Sequence, residues 1–180
     1  MLIEMMYLTM VFITTYIHLK QKIYEREPDM TQYIYIASPM RLPSGSYGSK
    51  PVSADQPNVY RNELDFTHLY FENNYDSCSK QRFSYSPHFT YKHQVAAFSN
   101  HIPLPYQLKG TAEQDKCLSI LYTYLEEAIQ LSGVVEYFTS LNGEEDLLLL
   151  KKRTLHWTDV KNPHDLVIDD REFWEITLWN

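Results

Sequence analysis

Apolar and polar positions alternate along the chain in a way that sets out its elements in order. Gln32-Tyr33-Ile34-Tyr35-Ile36-Ala37 is rich in β-formers and apolar on both faces, as a strand in the middle of a sheet is. Residues 63–72 alternate with period two, which predicts a strand with Leu64, Phe66, His68 and Tyr70 on one face and Asp65, Thr67, Leu69 and Phe71 on the other. Turn formers over 73–76 close it. Residues 82–85 and 89–91 read as a second strand interrupted at Pro87, as an edge position or a bulge allows. Residues 95–98 either continue it or turn helical.

The period changes at Gly110. Cys117, Leu118, Leu121, Tyr124, Leu125, Ala128 and Ile129 recur at helical spacing, with Glu113, Lys116, Thr123, Glu126, Glu127 and Gln130 opposite them. Thr111 with Gln114 forms a capping-box signature, and Gly133 is placed to stop the helix in a left-handed conformation. The spacing predicts an amphipathic helix over 112–131 that lies across a sheet. A strand over 134–141 follows, then Asn142-Gly143 as a hairpin signal. Residues 147–150 fit either a strand or a helix, with β structure resuming by 154–157. A one-turn helix starting at Pro163 and a last strand over 173–178 complete the pattern. Strands, one long helix, then strands again indicate an α+β fold with a mixed or mainly antiparallel sheet.

Between the first two strands, residues 38–58 hold four of the nine prolines, two of the five glycines and five serines. That composition predicts a long irregular loop at the sheet rim, and loops of this length in compact domains are usually functional or mobile.

Composition narrows the functional classes. The 180 residues carry 44% hydrophobic and 22% charged residues with a net charge of −7, enough apolar surface for one core. That charge argues against binding double-stranded nucleic acid, which needs a basic phosphate-contacting surface. The acidity is uneven. Residues 110–180 carry six cations and fourteen carboxylates, a net of −8, whereas residues 30–109 carry +2. Such a surface attracts basic partners. Cys78 and Cys117 share no CxxC spacing and read as free thiols of a cytoplasmic protein, with Cys117 a small core hydrophobe on the helix.

Residues 5–19 form an apolar run that is short for a membrane helix and ends near His18. The charged, proline-containing stretch 25–29 then precedes Met30, so residues 1–29 read as an N-terminal extension and residues 30–180 as a single α+β domain. Retained as an anchor, the run would leave the remainder in the cytoplasm.

No nucleotide-binding glycine loop, nucleophile elbow or zinc motif is present, so no cofactor is expected. The densest titratable set is His68, Glu72, His88, His93 and His101, with Asp65 nearby. Its spacings match no usual ligand pattern, and no metal is expected. Tyr85, His88, Tyr91, Lys92 and His93 with Arg82 offer a stacking platform, although Tyr and Phe at strand spacing more often pack a core. Trp157, Phe173, Trp174 and Trp179 are expected between sheet and helix.

Tyr35-Ile36-Ala37-Ser38-Pro39-Met40, followed by Arg41 and the loop, resembles the opening of the nucleoside 2-deoxyribosyltransferase-like proteins, which bind nucleotides at that strand end. The resemblance covers about eight residues, and the family's catalytic Glu has no counterpart downstream. It implies a small nucleotide-like ligand, with Ser38, Arg41 and the backbone of Gly45 and Gly48 on phosphate. His88 and His93 join the candidate ligand-binding set, and His68 with Glu72 would supply acid and base. The first expectation is different: a non-catalytic binding or regulatory module that acts on a basic protein through its acidic C-terminal surface. Whether the chain is an enzyme stays open at this point.

Overall fold

The computed structural model describes residues 31–98, 102, 103, 105, 107 and 110–178. The proposed extension 1–29, His101 and Trp179 lie outside the described residues. Seven strands form one sheet: β1 (Gln32–Ser38), β2 (Gly45–Tyr47), β3 (Leu69–Asn73), β6 (His93–Phe98), β7 (Val134–Leu141), β8 (Lys151–His156) and β9 (Glu172–Thr177). Their spatial order is β2-β3-β6-β1-β7-β9-β8. All neighbours are antiparallel except β8 and β9, which run parallel. A two-stranded ribbon of β4 (Tyr75–Asp76) and β5 (Gln81–Arg82) stands apart from it. The fold is α+β with a mixed, mainly antiparallel sheet.

The long helix α2 (Ala112–Ser132) covers one face of the sheet. Its buried residues are Cys117, Leu118, Leu121, Tyr124, Leu125, Ala128 and Ile129, the same stripe that the spacing picked out. The Thr111 hydroxyl accepts from the Gln114 N–H at 3.3 Å and the Gln114 side chain accepts from the Thr111 N–H at 2.9 Å. Together they satisfy two of the orphan donors at the helix start. At the other end Gly133 takes φ +76°, a conformation that costs glycine no Cβ clash. Two one-turn 3₁₀ helices, Trp157–Asp159 and Pro163–Leu166, extend the cover on this face.

The opposite face carries Tyr35, Ala96, Phe138 and Phe173, packed against Tyr85, Phe89 and Leu149. Two irregular segments, 83–92 and 142–150, therefore form a third layer. They are tied together by Ser86 Oγ, which donates to the Glu145 carbonyl at 2.6 Å, and by His88 Nε2, 2.7 Å from the Leu147 carbonyl. The Tyr35 hydroxyl donates to the Glu145 carboxylate at 2.5 Å from beneath.

Several expectations are corrected. Residues 63–72 are not one strand: the short helix α1 (Glu63–Phe66) precedes β3, because the Asn62 side chain accepts from the Asp65 N–H at 2.8 Å and caps that turn. Thr67, Leu69 and Phe71 face the core, and Leu64, Phe66 and Tyr70 are exposed. Beyond Arg82, which ends β5, the interrupted strand expected over 82–85 and 89–91 is an irregular segment. Buried Gln94 and Glu136 bind its backbone in place of a neighbouring strand: Gln94 Oε1 accepts from Tyr85 N at 2.8 Å and Glu136 accepts from Thr90 N at 2.9 Å. The true strand is β6, next to β1 in the sheet interior. Asn142-Gly143 makes a turn but no two-stranded hairpin, since β7 pairs with β1 and β9 rather than with β8.

The 38–58 loop is also less free than its composition suggests. Residues 45–47 form β2 against β3, Leu42 is buried, and the Tyr124 hydroxyl of α2 donates to the Pro43 carbonyl at 2.6 Å.

Candidate functional site

The alternation of a strand decides which side chains of β8 and β9 meet. In their parallel register Lys151 lies beside Glu172, Arg153 beside Trp174 and Leu155 beside Ile176, and all six fall on the face that α2 covers. Because β8 is the last strand of the sheet, the helix does not reach over it, and a cleft of about 650 Å³ opens between β8, β9 and the turns over 157–169. That volume lies within the range of small-ligand and side-chain pockets, roughly 300–1,000 Å³.

Glu172 is the centre of this wall. Its side chain is 3% exposed, and it accepts from Trp174 Nε1 at 2.7 Å, Lys151 Nζ at 2.9 Å and Arg153 Nε at 3.2 Å. A buried carboxylate needs this number of donors to offset its lost hydration. Arg153 also lies over the Trp174 ring at 5.9 Å, so the two cations are already engaged. Asp159, Asp165 and Asp169 also line the cleft, so among the described residues four carboxylates and two cations line it. Asp159 accepts from His156 N at 3.1 Å and Asp165 from Lys161 N at 2.7 Å. Each holds its 3₁₀ turn rigid with one carboxylate oxygen.

The residues singled out from the sequence are mostly dispersed. Ser38 is fully buried and its hydroxyl accepts from Met40 N at 3.1 Å, so it serves the strand end. Gly45 begins β2, and Gly48, with φ +94°, lies against Ile120 of α2. His68 Nδ1 is 2.8 Å from the Phe66 carbonyl and fastens the α1 turn. Glu72 is exposed and shares no contact with His68; four residues along an extended chain separate the two by about 13 Å. The acid–base pair is therefore not assembled. His88 holds the third layer, its ring edge-on to Phe138 at 5.9 Å. Among the described residues no group of three metal-ligating side chains converges.

Arg41 and His93 do meet. With Arg82, Asn73 and Ser44 they line a notch of about 10 Å³ at the end of β1, where Ser38 pairs with His93. Burial first, then the charges of Arg82, Lys92 and Arg41, hold the His93 imidazole below its ordinary pKa.

Sequence reasoning missed Glu172, Lys151 and Arg153, and gave Trp174 a packing role only. The alternation of Lys151, Arg153 and Leu155 was visible, but the parallel partner strand that gives it meaning was not. Both cysteines are free, Cys78 exposed and Cys117 buried. No helix among the described residues is long and apolar enough to cross a membrane. No protein family, curated protein or solved structure matches this chain.

Proposed function

We propose that the protein is a non-catalytic binding module of the cytoplasm whose C-terminal cleft takes a basic segment of a partner protein. The observation that supports this reading is the coincidence of this cleft of about 650 Å³ with the acidic third of the chain. Among the described residues four carboxylates line the cleft against two cations, and both cations are engaged by Glu172. Among the described residues Asp159 and Asp165 form no ion pair, and they are set around the apolar side chains of Leu155, Val160 and Ile168. An Arg or Lys side chain suits such a place, with its aliphatic stem on the apolar wall and its charged head among carboxylates.

The test is a titration with a short arginine-rich peptide, followed by tryptophan fluorescence. Binding should weaken steeply as salt is raised past about 0.1 M, where the screening length falls to about 10 Å. The double variant Asp159→Asn with Asp165→Asn keeps amide oxygens that can accept hydrogen bonds and should lose about tenfold or more in affinity. Equal binding of the parent and the variant, or of an acidic peptide of the same length, refutes the reading.

A further inference from the structure

A second place on the molecule has the opposite charge and stands independently of the cleft. The notch at the end of β1 is built from three segments. The chain leaving β1 brings Arg41 and Ser44, the end of β3 brings Asn73, and β5 with the start of β6 brings Arg82 and His93. Lys92 adjoins it, and its charge acts on His93. Three cations are thus gathered around one imidazole, and among the described residues no carboxylate forms an ion pair with Arg41, Arg82 or Lys92. Like charges brought together without a counter-charge cost free energy, which an anion would offset.

Two details show that the place is shaped as well as charged. His93 Nδ1 is buried and receives or gives no hydrogen bond to any protein group, an uncommon state for a buried polar atom. Arg82 is held in position by Nη1, which donates to Asn74 Oδ1 at 2.9 Å, and by its stacking over Tyr75 at 5.7 Å. Its other N–H groups remain for a ligand, since a guanidinium carries five. Asn73 Nδ2 donates to Ser44 Oγ at 3.3 Å and fixes the remaining wall. The volume of about 10 Å³ admits a single oxygen-sized atom.

We propose that this notch is an oxyanion site for a phosphate group: one oxygen enters and accepts from His93 Nδ1–H, while Arg41 and Arg82 hold the other oxygens at the rim. Neutral imidazole carries one N–H, so the contact needs only the Nδ1–H tautomer. Planar guanidinium groups suit the tetrahedral array of phosphate oxygens. The phosphate is either free or the monoester of a small molecule.

The experiment uses the full chain, with inorganic phosphate and ribose 5-phosphate as probes and sodium chloride at matched ionic strength as the reference. Thermal midpoint and the NMR signals of the His93 imidazole are followed together. Phosphate should raise the midpoint saturably and raise the pH at which His93 titrates, because a bound anion favours the imidazolium. Among the described residues the Arg41 side chain makes no hydrogen bond or ion pair, so Arg41→Ala should not lower the ligand-free midpoint and should weaken binding about tenfold or more. Tighter binding of ribose 5-phosphate assigns the site to an ester, and equal binding assigns it to the free anion. A midpoint that climbs without saturating, equally in Arg41→Ala, is the general stabilising effect of phosphate salts and overturns the proposal. So does a His93 signal that phosphate does not move.

Discussion

Glu172→Ala is the change that most directly probes the cleft wall, and its cost can be built up from the contacts. The buried Trp174 indole N–H loses the carboxylate 2.7 Å away, leaving a buried donor unsatisfied at about 1–3 kcal/mol. One methylene leaves a packed site with the carboxylate, about 0.8 kcal/mol. Lys151 and Arg153 are 41% and 50% exposed, so each can return to water, and each pair contributes only about 0–1 kcal/mol. The total is about 2–6 kcal/mol, which for a domain of this size lowers the thermal midpoint by about 4–20 °C. Glu172→Gln keeps the methylenes and an oxygen for the indole and should cost about 1–2 kcal/mol. Chemical denaturation of the three proteins measures both differences. If the Ala and Gln variants are equally stable, or both lie within about 0.5 kcal/mol of the parent, Glu172 does not organise the wall as described.

Other outcomes follow from local geometry. Gly48→Ala should cost more than Gly143→Ala. Both glycines have positive φ, +94° and +85°, but a Cβ at Gly48 meets the Ile120 side chain whereas one at Gly143 meets open space. Denaturation midpoints should show the shared backbone strain of about 1–2 kcal/mol in both variants and about 1–3 kcal/mol more at Gly48. In native protein a thiol reagent should modify Cys78 rapidly and Cys117 only after unfolding, since Cys117 is buried and its thiol is pushed up to about 11; prompt reaction of two thiols contradicts that packing. Burial also raises Tyr35, Tyr124 and Tyr137 above the ordinary phenol range. The folded state resists these ionisations and the unfolded state does not. Stability is therefore complete below the ordinary thiol and phenol values and is lost as pH rises through and beyond them. An ultraviolet titration should show part of the tyrosinate signal appearing only with alkaline unfolding, and a single smooth titration that tracks exposed tyrosine would refute this.

What could be read from the chain alone was whatever depends on local signals. The helix from Ala112 to Ser132 was legible because its stripe, its Thr111–Gln114 box and Gly133 agree with one another. The short turn at Pro163–Leu166 was legible for the same reason, with Asn162 capping and proline at the first position. Misreadings arose where two local signals competed or where a distant group decided. Residues 63–66 carry both an alternating pattern and an Asn-x-x-Asp cap, and the cap prevailed because Leu64 and Phe66 have no core to face. Residues 83–91 look like a strand by their aromatics, yet their backbone partners are the side chains of Gln94 and Glu136, which no period reveals. The candidate sites divide in the same way. Arg41 and His93 were on the page as residue types, but Arg82 joins them only through the β4–β5 ribbon, and Glu172 meets Lys151 only through a parallel register.

The strand at the middle of the sheet is also the first strand of the described chain. Ile36 lies between Val95 on one side and Tyr137 on the other, so its amide groups and buried side chain wait for partners synthesised long after it. A ribosome making this protein therefore exposes a sticky, incomplete ribbon until residues 134–141 have emerged, and non-local pairing of this kind is slow to nucleate. Synthesis halted before residue 134 leaves that ribbon bare along one side, a natural target for chaperones and for proteolysis.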